Sequence, residues 1–296
     1  MNILFITHTR IGDGVLSSGI LHHLIETYPD ARFTVACGPL AASLFADMPR
    51  LDRVIVVTKQ RFDGHWYALW KQVRGTVWDI VVDLRRSLIS YLVPVRKRYV
   101  VGAIPDGVHH VVHLSQLLDL AKPAAPYLYR SERHDRAGVQ LIPEGAPVLA
   151  VAPVAATRAK TWPPERFADL IARLTTGGGA CAGWRVALFG GPGDEISAAP
   201  LITALERHGC IKVFAEPDLL TVQAALARCR AFIGNDSGIG HLAAAAGVPT
   251  LALFAAADPA RYRPWGGAAV QAPGQDLSAL GVESVISGFH DLIKSP

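Results

Sequence analysis

The sequence predicts an α/β protein built as two Rossmann-like domains in tandem. Three observations lead there: short β-branched runs alternate with longer helical patterns, the alternation lapses once near the middle, and then it restarts. A chain of 296 residues has room for about two domains with substantial cores.

The first domain is expected over residues 1–146. NILFIT opens it as a strand, because the amino terminus lacks the basic region and small-residue cleavage site of a secretory leader. GVLSSGILHHLIETY follows as a helix, then RFTVAC as a strand, PLAASLFADM as a helix, and RVIVV and DIVVDL as strands. A last helix is expected near residues 113–121, and the Pro- and Arg-rich stretch 122–147 reads as a linker. The second domain, 147–276, runs through VLAVAPV, a helix from about Glu165, WRVALFG, a helix after Gly193, IKVFAE, a helix over 222–228, AFIGND and TLALFA. Residues 277–296 form an amphipathic segment expected to cross back and pack on the first domain. Ligands are expected at the carboxyl ends of strands, across a cleft between the domains.

Composition narrows the function classes. Half the residues are apolar and 18% are charged, an ordinary globular mix. The longest apolar stretch, 242–257, is broken by Gly247 and Pro249 and is shorter than the roughly 20 residues that span a bilayer. Cys37, Cys181, Cys210 and Cys229 are too far apart for a zinc knuckle or a redox pair, and read as buried thiols in a reducing cytoplasm. The net charge of +4 arises wholly in the first half: 17 Lys and Arg against 13 Asp and Glu over 1–146, and 12 against 12 thereafter. Arg85, Arg86, Arg96, Lys97 and Arg98 form its densest part, which suits either an anionic partner or a solvated face. Aromatics are not interleaved with these bases as a stacking platform requires, so no nucleic-acid partner is expected.

Three strand-to-helix turns carry the candidate chemistry. In FIGNDSGIGHLAAAAG, a strand ending at Ile233 meets a helix, whose free N–H groups attract phosphate oxygens. Gly238 permits close approach of a ligand, Ser237 can cap or donate, and Asp236 is better suited to sugar hydroxyls than to phosphate, or joins Ser237 in a cap. NDSGIG is not a hydrolase nucleophile elbow, since it lacks the G-x-S-x-G turn. The second turn, RIGDG, places Asp13 after the first strand, as either a general base or a helix cap. In the third, AATRAKTWPP, Arg158 and Lys160 precede a helix that Pro163 can begin, where cations could neutralise a diphosphate. GGPGDE reads as structural, and Glu216 as a solvent-exposed acid or a ribose ligand. His109, His110 and His113, like His22 and His23, lack the further ligands that a metal site would need.

Together RIGDGVLSSGIL, KTWPPERFADL, FGGPGDE, NDSGIGHLAAAAGVPTLALF and DPARYRPWG resemble glycosyltransferase family 9, the heptosyltransferases of lipopolysaccharide synthesis. The resemblance covers most of the chain. It implies a GT-B fold and an inverting, metal-independent transferase without a cofactor, moving a heptose from a nucleoside-diphosphate donor, ADP-heptose, to a lipopolysaccharide core or other lipid-linked, anionic glycan acceptor. Asp13 would then be the base and Lys160 the diphosphate clamp. Gly12, Thr157, Arg158, Glu216, Asp236, Ser237, Gly238 and His241 would complete the donor pocket, while Arg61, Arg85 and Arg86 would meet the acceptor. The implied location is the cytoplasm, with peripheral contact at the inner membrane. The alternatives are a nucleotide-sugar epimerase of GT-B fold and a non-catalytic nucleotide-sugar-binding protein.

Overall fold

The computed structural model describes residues 1–206, 209–216 and 218–294. The chain divides into two compact units, Met1–Arg130 and the residues from Ser131 onward.

The first unit holds β1 (Asn2–Ile6), β2 (Arg32–Cys37), β3 (Leu51–Val56), β4 (Trp78–Asp83) and β5 (Val95–Val100) in one sheet of order β3-β2-β1-β4-β5. Every pairing is parallel. β1 is buried from Ile3 to Ile6, as a strand covered on both faces must be. Helix α1 (Ile11–Thr27) follows it, then α2 (Gly64–Val73), the short α3 (Ile89–Leu92) and α4 (His110–Leu117). The helix expected over 39–48 is a 3₁₀ segment, Pro39–Phe45, and the one expected near 113–121 lies earlier. α1 begins at Ile11, so Asp13 lies in its first turn rather than in a glycine turn before it.

The second unit carries α5 (Glu132–Leu141), β6 (Val148–Ala152), α6 (Pro164–Thr175), β7 (Arg185–Phe189), α7 (Asp194–Ala204), β8 (Cys210–Val213), α8 (Leu219–Leu226), β9 (Ala231–Asn235), α9 (Gly238–Ala245), β10 (Thr250–Phe254), α10 (Pro259–Tyr262), β11 (Ala268–Gln271) and α11 (Val282–Lys294). Its six strands run parallel in the order β11-β10-β9-β6-β7-β8. Both sheets therefore reverse direction of growth beside their first strand, between β1 and β4 and between β6 and β9. Loops leaving those strands part there, and open α/β sheets bind ligands at such points.

Two expectations about domain limits are corrected. The boundary falls at 130/131 and not at 146/147, because the stretch read as linker contains α5, which packs on α8. Gly138 makes that packing possible: a Cβ there would stand 2.8 Å from the Ala224 carbonyl carbon. The C-terminal helix expected to return to the first domain instead belongs to the second unit, where α11 packs on α6, β10 and β11. Val285 and Phe289 of α11 join Trp162, Phe167 and Leu251 in one buried cluster.

Candidate functional site

At the β6/β9 switch point of the second unit, two loops come together. The first leaves β6 and forms a one-turn 3₁₀ segment, Arg158–Lys160, whose preceding residue is Thr157. The second passes from Asn235, the last residue of β9, through Asp236 and Ser237 into α9. Lys160 Nζ donates to Asp236 Oδ2 at 2.6 Å, with both side chains partly exposed. Asp236 is thus paired with a cation and does not cap α9. Ser237 occupies the cap position in an extended conformation, yet its side chain makes no capping bond, and among the described residues its buried Oγ has no hydrogen-bond partner. The amino end of α9 therefore presents backbone N–H groups without a side-chain acceptor from its own cap, beside a lysine.

Asn235 is the residue that fixes this arrangement, a role that sequence reasoning did not assign to it. It is fully buried, accepts from the Trp162 backbone N–H at 3.1 Å through Oδ1, and donates from Nδ2 to the Pro153 carbonyl at 2.8 Å. One amide side chain so ties the end of β9 to both sides of the Lys160 loop. Trp162, also fully buried, donates from Nε1 to the Leu280 carbonyl at 2.9 Å, and the Arg166 guanidinium donates to the same oxygen. An asparagine closing an apolar strand is the signal that could have pointed to it.

The remaining donor candidates separate. Gly238 starts α9 and His241 lies buried one turn on. Thr157 and Arg158 are exposed, and the Arg158 charge acts on Asp276, whose carboxyl is held below its usual range first by the Ser278 backbone N–H. Glu216 lies beyond β8, the far edge strand, and its Oε1 accepts from the Asp218 N–H at 2.9 Å. It is not brought to the Lys160–Asp236 pair by that contact.

In the first unit, Gly12 and Asp13 occupy the first turn of α1, after β1. The cap position is Arg10, so Asp13 is not the cap that its sequence position allowed. His8 lies nearby, held below its usual range chiefly by burial, with the Asp13 carboxylate acting against that and Arg85 and Arg10 adding to it. At the end of β4, buried Asp83 organises the next loop, accepting from the Arg85 and Ser87 N–H groups at 2.9 Å each and from Ser87 Oγ at 2.7 Å. Arg85 and Arg86 therefore leave the same switch point as Asp13. Arg61 stands apart in a 3₁₀ turn, over the Phe62 ring. The run Arg96–Arg98, read as a basic face, is part of edge strand β5: Arg96 pairs with Asp79 at 3.1 Å, and the Arg98 guanidinium donates to the Ser90 carbonyl.

These two switch-point sites sit in a chain whose residues 103–279 match the model of glycosyltransferase family 9 (heptosyltransferase). The chain belongs to glycosyltransferase family 9. Lipopolysaccharide heptosyltransferase 1 of Escherichia coli O18:K1:H7 is 31% identical over 96% of both chains. The E. coli ADP-heptose lipopolysaccharide heptosyltransferase II structure superposes with a TM-score of 0.77 at 22% identity, covering 99% of each chain. An E. coli heptosyltransferase solved with ADP gives 0.76 at 20% identity, covering 99% of this chain and 100% of that one. The fold is GT-B, and family membership makes this family 9 protein a glycosyltransferase of the heptosyltransferase kind, in preference to an epimerase or a non-catalytic binder. Among the described residues, no helix is long and apolar enough to cross a membrane.

Proposed function

We propose that this family 9 transferase moves a heptose from ADP-heptose to a lipid-linked, anionic glycan acceptor of the lipopolysaccharide-core type, with inversion and without a metal. The observation that carries the reading is the Lys160 ammonium, held 2.6 Å from Asp236 beside the start of α9. A diphosphate there would meet a cation, a helix amino terminus and the unpartnered Ser237 hydroxyl, three features that all favour anionic oxygens.

In this mechanism an acceptor hydroxyl oxygen attacks the anomeric carbon as the bond from that carbon to the β-phosphate oxygen breaks. The electron pair leaves with ADP, where Lys160 and the α9 N–H groups stabilise the growing charge. The hydroxyl proton passes to the Asp13 carboxylate. Asp236, already an acceptor for Lys160, has a second oxygen for a sugar hydroxyl, and Gly238 leaves room for the ligand beside the α9 backbone. Arg85 and Arg86 offer cations to carboxylates or phosphates of the acceptor. The two E. coli structures named above support ADP and heptose as donor parts, because their names carry both. The proposed location is the cytoplasm, with peripheral contact at the inner membrane where a lipid-linked acceptor is made.

The test is product analysis with ADP-heptose, with and without a lipopolysaccharide-core acceptor. The reading predicts ADP release only with acceptor, and an acceptor heavier by one heptose of opposite anomeric configuration to the donor. Donor conversion without acceptor, or no transfer to any such acceptor by protein that binds ADP, would overturn it.

A further inference from the structure

The first unit has a second feature, which runs from the acceptor candidates Arg85 and Arg86 out to an exposed apolar rim that the transfer chemistry does not use. Between α2 and the segment 85–92 lies a cavity of about 600 Å³, walled by Trp66 and Trp70 of α2 and by Arg85, Arg86, Leu88 and Leu92. Its rim is unusually apolar for a surface. Leu88 is 74% exposed and Leu92 59%, and Tyr67 and Tyr91 are similarly open, while Phe62 just before α2 is 86% exposed. Each aromatic carries a cation: Lys71 lies 4.7 Å from the Tyr67 ring centre, Arg74 4.9 Å from Trp70, Arg98 4.7 Å from Tyr91, and Arg61 4.7 Å from Phe62.

The charge balance here is one-sided. Residues 61–98 hold eight Lys and Arg against three Asp. Asp83 is buried in bonds to its own loop, and Asp79 is engaged by the Asn2 N–H and Arg96. That leaves Asp63 as the one acid of this segment without such a role.

We infer that this face docks the first unit onto an anionic lipid bilayer, with Leu88, Tyr91 and Leu92 entering the headgroup boundary and the surrounding cations meeting lipid phosphates. Amphipathic rings settle at that boundary, and basic side chains beside a shallow apolar insertion supply the second, electrostatic half of reversible attachment. An exposed apolar patch rimmed by charge of one sign marks an interaction surface, and the sign selects an anionic partner. The inference deepens the proposed function, because a lipid-linked acceptor is reached at a bilayer, but its test needs no turnover.

The experiment is co-sedimentation with phosphatidylcholine vesicles, with and without phosphatidylglycerol, using wild type and the double variant Leu88→Ser/Leu92→Ser. Wild type should pellet with the phosphatidylglycerol vesicles and be released by added salt, since exposed charges are screened. Removing two apolar anchors should weaken vesicle affinity by roughly tenfold or more. Both positions are exposed, so the variant should retain wild-type ADP binding and circular dichroism, which keeps failure of docking distinct from failure of the fold or of the donor site. Wild type left in the supernatant with phosphatidylglycerol vesicles, or a variant that pellets equally well, would overturn the inference. So would release of wild type by a soluble anionic oligosaccharide at constant salt, which would assign the face to a glycan.

Discussion

Asp13 and His8 lie near one another at the first unit's switch point, and their chemistry separates by substitution. If Asp13 takes the acceptor proton, Asp13→Asn should lower kcat by about 10² to 10⁴, with ADP affinity unchanged in calorimetry; normal turnover would remove Asp13 from the mechanism. His8 has its folded value pushed below the ordinary 6.5, first by burial. The unfolded chain therefore binds this proton more readily than the folded one, so stability is complete above 6.5 and falls as pH drops through the folded value. Urea midpoints measured from pH 7.5 down to 5 should fall less steeply in His8→Asn than in wild type. The thiols give a simpler expectation: burial pushes Cys37, Cys181 and Cys229 up to about 12, so native protein should resist alkylation at pH 8 at these three positions. Asp13, Lys160 and Asp236 stood out in the sequence because a charge at a strand-to-helix junction is conspicuous. Asn235 and Trp162 did not, because the two lie 73 residues apart along the chain, and Trp162 and its Leu280 acceptor lie 118 apart.

At the scale of elements, what the sequence concealed had a physical cause in each case. Helix α5 hides in SERHDRAGVQL because it is strongly polar, exposing most of its charges and burying little beyond His134 and Gly138. Its contact with α8 depends on the missing side chain at 138, so Gly138→Val should cost about 1 to 3 kcal/mol as an overpacked contact, measurable as a lower urea midpoint. An unchanged midpoint would mean that the helices separate freely. Strand β5, VRKRYV, was masked by its cations, which are the residues an edge strand uses to discourage further pairing. Strand β11, AAVQ, is too short and Ala-rich to announce itself, and its place comes from pairing with β10. Trp162→Phe should keep most of the packing of α6 but strip the Leu280 carbonyl of one of its two donors, costing about 1 to 3 kcal/mol. Differential scanning calorimetry would register that as a lower Tm.

For the molecule as a whole, the two sheets share one plan, and that plan was legible from the alternation of strands and helices alone. Each unit places its candidate residues beside its first strand, Asp13 and Arg85 after β1 and β4, Lys160 and Asp236 after β6 and β9. The limits of the units were less legible, because a polar helix in the middle and an amphipathic one at the end declare their partners only through packing. The central claim is that the β6/β9 switch point is a nucleoside-diphosphate site worked by Lys160. Calorimetric titration of wild type and Lys160→Ala with ADP, UDP and GDP tests it most directly. The account predicts that ADP binds wild type, and that the variant loses roughly 10- to 100-fold in affinity, as expected for one charge-assisted contact. Equal ADP affinity in the two proteins, or no nucleotide bound by wild type, would contradict it.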